Sequence, residues 1–206
     1  MNGPGKDADA APEHLNITNN TQRNTMKSQD IAIVGILLAV GAIARLIATA
    51  LVPSPIVPNF VIVFYCLAIM LIAPRFKEAL GIGIVGGIIS ALISHSLFPP
   101  ANLISEPIGA LVCLAVFLAL KEKMKVAPAV STLIATVASG ITFVLIVMVL
   151  VMVAPGMLYK AFTASSLYAF FTMMVITIIL PTAILNTIVA QILYLPAARV
   201  LSRGRA

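Results

Sequence analysis

The chain has 206 residues, of which 61% are hydrophobic and only 10% charged, and its mean hydropathy is +1.10. A soluble domain carries roughly 25% charged residues, so the composition excludes a soluble globular fold and indicates one compact integral membrane domain. The formal net charge of +6 does not point to nucleic acid, because the basic residues lie in short connections beside apolar segments with no aromatic-rich basic module around them.

Residues 1–27 are polar, rich in Asn, Thr, Asp and Gly, and lack the apolar core of a signal peptide. They read as a disordered cytoplasmic tail. Two glycosylation-type triplets, Asn16-Ile17-Thr18 and Asn19-Asn20-Thr21, arise easily by chance in such a composition. A bilayer crossing needs about 20 apolar residues at about 1.5 Å each, and six segments approach that length. The first is Ile31–Val52, closed by Pro53-Ser54-Pro55 and Pro58. The second, Asn59–Ala73, is short. The third is Leu80–Leu97, followed by a proline-containing loop, Phe98–Glu106. The fourth, Pro107–Leu120, is shorter still. The fifth is Ala127–Val153, and after the connection Ala154–Ser166 the sixth runs to about Leu195. Residues 28–198 are thus expected to form an all-α, six-transmembrane-helix bundle, with 199–206 as a basic cytoplasmic tail.

Orientation follows from the basic residues. Lys27, Arg75, Lys77, Lys121, Lys123, Lys125, Arg199, Arg203 and Arg205 fall on one side of such a bundle and Lys160 alone on the other. The positive-inside rule then places both termini in the cytoplasm. The external loops are the proline-rich and longer ones, which suits an outward-facing binding site. Cys66 and Cys113 lie inside apolar segments and read as small buried hydrophobes. No metal site or cofactor site follows from the residues.

Polar residues inside apolar segments are the candidates for function. Arg45 is the one basic residue deep in a span, where it costs about 2.5–3.5 kcal/mol on insertion scales. It shares a helix face with Gly41, Ala48 and Val52. Either it snorkels to the outer headgroups or it lines a site. Gly35, Ala39 and Ala42 form a separate small-residue stripe, about a quarter-turn away, which lets another helix approach closely. That helix belongs either to this bundle or to a separate protein. Gly81, Gly83, Gly86, Gly87, Ser90, Ala91 and Ser94 signify tight packing of the third segment. His95, at its outer end, has a structural and a binding reading. Glu106, just before Pro107, either caps a helix N-terminus or holds an ammonium group at the mouth of the bundle. Asn59 and Asn102 have the same two readings, cap or ligand contact. Asn186 sits five residues after Pro181, so a buried amide lies beside a disturbed helix. Membrane proteins often build small-molecule sites in this way. Glu106 and Asn186 are expected to approach each other in the outer half of the bundle.

No HExxH, paired-aspartate, P-loop or GxSxG pattern is present, and no acidic residue other than Glu106 punctuates the later spans. An enzyme is therefore not expected. In Gly35–Leu46, Ala73-Pro74-Arg75, Gly81–Leu92, Asn102–Pro107 and Leu180–Asn186 the chain resembles the substrate-binding S components of energy-coupling factor (ECF) transporters, nearest to the tryptophan-transporter type. At Ser105-Glu106-Pro107 it departs from the Asp-Lys-Pro which that type leads one to expect. The resemblance implies a six-helix protein that captures a small organic solute outside the cell. Its partners would be a transmembrane T component and two ATPase subunits, besides the lipid bilayer. It implies T-component contacts at Gly35, Ala39 and Ala42, and ligand contacts at Asn59, Asn102, Glu106 and Asn186. The expected substrate is tryptophan or a related aromatic compound. A vitamin or corrinoid precursor is the alternative within transport, and a non-transporting membrane scaffold is the alternative of another class.

Overall fold

The computed structural model describes residues 26–51, 58–94, 96–154 and 166–204, and among these the regular structure is entirely helical. Helix α1 is Ser28–Leu51. It buries Val34, Leu38, Gly41 and Arg45 at alternating spacings of four and three residues, which is one face of a 3.6-residue period. Its other faces expose Ile36, Val40, Ile43 and Ile47, as expected where lipid is the solvent. Gly41 allows a close approach of the next helix, since a Cβ there would lie 3.0 Å from Cβ of Phe64.

Helix α2 is Phe60–Ile72. Its thirteen residues cover about 20 Å against a hydrocarbon core of about 30 Å. All residues from Val61 to Met70 are buried, and a helix that is apolar on every side belongs in an interior. It packs against α1 and against the helices Phe76–Ile93, Asn102–Leu120, Ala127–Val153 and Leu180–Gly204. Its shortness, evident in the sequence, therefore accompanies a central position. The Asn59 side chain caps its start by accepting from the Val61 N–H at 3.2 Å. Ala73 ends it in the left-handed region (φ 49°), where its N–H reaches the Ile69 carbonyl at 2.8 Å, and Pro74 forbids continuation.

Helix α3 is Phe76–Ile93, opened by a capping box in which Glu78 accepts from the Arg75 N–H at 2.8 Å. Glu78 also accepts from the Met26 N–H at 3.1 Å, which ties the start of α1 to the start of α3. Helix α4 is Asn102–Leu120, preceded by a 3-10 turn at Pro99–Ala101. This corrects the expected loop over Phe98–Glu106. Pro99 and Pro100 have φ preset for a helical start. Pro107, six residues into the helix, forfeits only the bond that would run to the Leu103 carbonyl. Two glycines on α3 bring α4 to backbone contact. A Cβ at Gly83 would sit 2.6 Å from Cα of Pro107, and one at Gly87 would sit 2.7 Å from the Asn102 carbonyl oxygen.

Gly81, by contrast, has nothing within 4 Å of where its Cβ would be. The two positions should respond with opposite signs. Gly81→Ala is expected to stabilise by about 0.5–1 kcal/mol through helix propensity. Gly83→Ala should destabilise by about 1–3 kcal/mol through overpacking against backbone. Thermal unfolding of both variants in detergent checks this, and equal shifts would mean that the α3–α4 contact is looser than described.

Helix α5 is Ala127–Val153, with Pro128 in its first turn. The last helical stretch has three parts: α6 (Leu167–Met174), a π-helical turn (Val175–Ile179) and α7 (Leu180–Gly204). The chain stays helical through Pro181, and the expected disturbance takes the form of the π-helical turn before it. The proline ring needs room at the carbonyl four residues back, and the wider turn preceding it supplies that room. Leu180 donates to the Val175 carbonyl, five residues back. Because α7 continues to Gly204, Arg199 and Arg203 extend the last helix. Among the described residues, five helical stretches are long and apolar enough to cross a membrane, with Phe60–Ile72 as a shorter apolar sixth.

The Met26 N–H meets Glu78, the Phe117 ring meets Tyr194 and the Ala129 N–H meets Gln191, so one end of the bundle gathers Lys27, Arg75, Lys77, Lys121, Lys123, Lys125, Arg199 and Arg203. One apolar core surrounds α2. A second joins Phe143, Val144 and Val147 of α5 to Ala101, Phe170, Met174 and Ile179, toward the opposite end.

Candidate ligand-binding site

Between the two apolar cores lies a buried polar network centred on Glu106. Only 1% of this residue is exposed, and it is the fifth residue of α4 rather than a cap at its N-terminus. Its Oε1 accepts from Nδ2 of Asn59. Its Oε2 accepts from the Tyr65 hydroxyl at 3.0 Å and the Ser139 hydroxyl at 3.1 Å. An ionised carboxylate is an acceptor-only group, and three donors converge on this one, two from α2 and its cap and one from α5. Gly109, one turn along α4, keeps the space open, since a Cβ there would collide with the Tyr65 hydroxyl.

Asn59 is the hub. Besides capping α2 and donating to Glu106, its Nδ2 lies 3.4 Å from Oγ of Ser90, and its backbone carbonyl accepts from Nδ2 of Asn186 at 3.2 Å. Glu106 and Asn186, eighty positions apart in sequence, therefore converge on one residue. The convergence is possible because α2 begins inside the bundle, so its first polar residue is within reach of α3, α4 and α7. Asn186 is fully buried, also donates to Oγ1 of Thr136 at 3.4 Å, and has no protein partner for its Oδ1 among the described residues. The Ser105 hydroxyl is likewise buried and unpartnered. Each such atom costs about 1–3 kcal/mol.

Arg45 is 6% exposed and turns into the bundle, where it donates to Oγ of Ser90 at 3.4 Å and Oγ of Ser94 at 2.9 Å. This is not a side chain extended along a lipid-facing surface. Asn102 has a local task, with its Nδ2 holding the Pro99 carbonyl at 2.7 Å across the 3-10 turn. The structure does not link it to the Glu106 network. His95 and Lys160 lie outside the described residues. Gly35 and Ala39 are exposed on α1 and Ala42 is half-buried, about a quarter-turn around the helix from Arg45. Cys66 and Cys113 are free and buried.

The family described as "Tryptophan transporter TrpP" matches residues 27–202, a stretch that contains the whole network. The chain belongs to the tryptophan transporter family. It is 32% identical over 183 residues to the probable tryptophan transport protein of Bacillus subtilis (strain 168), a match covering 87% of this chain and 96% of that relative. No solved structure matches. As a member of the tryptophan transporter family with several membrane-length helices, the chain is a multi-pass cell-membrane transport protein.

Four residues in this transporter's network escape a reading of single polar positions: Tyr65, Ser90, Thr136 and Ser139. The last two had a detectable signal. Ser131, Ala135 and Ser139 recur every four residues, with Thr132 and Thr136 beside them, so one face of α5 is small and hydroxylated within an apolar span. All five are buried. Phe143, one turn beyond Ser139 on the same face, joins this polar strip to the second apolar core.

Proposed function

We propose that this protein is the substrate-capture subunit of an ECF-type importer for tryptophan, binding the free amino acid at the network described above. The observation that carries the reading is Glu106, a buried carboxylate between polar and aromatic surroundings. It offers an ammonium group a full counter-charge where water is excluded. The indole ring would lie against the core formed by Phe143, Phe170 and Met174. The names of the matched family and of the B. subtilis relative support tryptophan over a vitamin or corrinoid precursor.

The sequence contains no tryptophan, so all indole fluorescence comes from the ligand, and the bound fraction is read from its blue shift relative to free ligand. Titration with tryptophan should give a saturable, blue-shifted indole signal, and mass spectrometry of protein purified from cells should find tryptophan. A flat titration with a vitamin or corrinoid precursor in the purified sample would overturn the substrate.

The proposal includes six spans, with α2 as the short one, and cytoplasmic termini. The charge sidedness of the connections supports it. In a background without Cys66 and Cys113, Lys160→Cys should react with an impermeant thiol reagent applied to intact cells, whereas Lys123→Cys should not. Labelling of Lys123→Cys from outside would reverse the orientation. ATP would be used by partner ATPases bound through a T component, for which the exposed positions Gly35 and Ala39 provide a close-approach surface.

A further inference from the structure

We propose that Arg45 receives the ligand's carboxylate, so that Arg45 and Glu106 form a two-point clamp for the zwitterionic head of a free α-amino acid. The inference rests on the tryptophan reading and deepens it. Arg45 and Glu106 both lie buried within the bundle, and they are ionisable groups of opposite sign. Among the described residues the one ion pair within 4 Å is Arg75–Glu78, so these two inner charges do not touch. They are joined indirectly: Arg45 donates to Ser90, Ser90 faces Asn59, and Asn59 donates to Glu106. Among the described residues the guanidinium donates to neutral hydroxyls, those of Ser90 and Ser94, although it has five N–H donors in a fork suited to a carboxylate. An inward arginine without an anion is costly, and a carboxylate placed beside it relieves that cost. The ammonium of the same ligand belongs at Glu106, where every present partner is a donor. The Asn59 amide and the Ser90 hydroxyl occupy the intervening gap and are the groups that must yield or rearrange.

Two charges held apart by neutral bridges select for a ligand with both charges. The clamp therefore excludes amines without a carboxylate and acids without an amine, whatever the aromatic group. The test uses three indole ligands read by their own fluorescence: tryptophan, tryptamine and indole-3-propionate. Wild-type protein should bind tryptophan roughly 10- to 150-fold more tightly than either of the others, the range for one charge-assisted contact. Arg45→Gln should bind tryptophan and tryptamine about equally while still discriminating against indole-3-propionate. Glu106→Gln should show the reverse pattern. Arg45→Lys, which keeps the charge and loses the fork, should bind tryptophan more weakly yet still prefer it to tryptamine. Equal binding of tryptophan and tryptamine by the wild type overturns the clamp without need of a variant. So does an Arg45→Gln protein in which both ligands weaken by the same factor, since Arg45 would then act only through packing. If the wild type binds none of the three, the tryptophan reading fails and the clamp fails with it.

Discussion

Replacing Glu106 with Gln should weaken tryptophan binding roughly 10- to 150-fold, the effect of losing one buried charge-assisted contact, while the bundle stays folded. Glutamine keeps the shape and one acceptor oxygen, so it can still serve part of the ring of donors formed by Asn59, Tyr65 and Ser139. It removes the negative charge that an ammonium requires. Glu106→Leu should behave differently. It strands three buried donors at about 1–3 kcal/mol each, which amounts to a large part of a typical folding free energy of about 5–15 kcal/mol. Calorimetric titration of the Gln variant and thermal unfolding of the Leu variant separate the two effects. Unchanged affinity in Glu106→Gln would leave the carboxylate as an anchor for the start of α2 and nothing more.

The second large effect concerns transport rather than binding. Ala39→Phe should reduce uptake to background and abolish copurification of the T component, while tryptophan affinity of the isolated subunit stays within about twofold, a change worth under 0.5 kcal/mol. Ala39 and Gly35 are exposed, and no neighbouring helix comes within 4 Å of where a Gly35 Cβ would be, so among the described residues nothing packs on this stripe at Gly35. The face of α1 that does pack, through Leu38, Gly41 and Arg45, points elsewhere. A variant that loses binding yet keeps its partner would show instead that the stripe serves this bundle.

How far the sequence reached depended on what each signal measures. Hydropathy detects apolar length, so α1, α3, α5 and the last helix were legible, and the brevity of α2 was legible as an anomaly. Hydropathy does not detect surroundings, and only packing shows that α2 is enclosed on all sides. Proline misled at one of two places. At Pro107 the helix starts five residues earlier than expected, because a proline near a helix start sacrifices a single bond. At Pro181 the expected disturbance is present as a widened turn just before it, with the helix continuous through the proline. Asn59, Glu106 and Asn186 stood out because polar groups in apolar runs are expensive, and the structure joins them. Tyr65 did not stand out, because an amphipathic ring looks like ordinary core until its hydroxyl finds a partner. Arg45 could not be assigned a direction from a helical wheel, since snorkelling and inward turning begin at the same Cα.

The π turn at Val175–Ile179 makes the final helix an object with a phase. A single residue inserted in an α-helical frame rotates everything beyond it by about 100°. Here that rotation is built in, and it sets the angular offset between Phe170 and Met174 on one side and Asn186 on the other. Isoleucine for valine within the turn leaves the offset untouched. Removing any one of its five residues resets it, and the aromatic core and the buried amide can no longer both face inward. At this place the chain is written in a reading frame of its own, and residue count decides which side chains face inward.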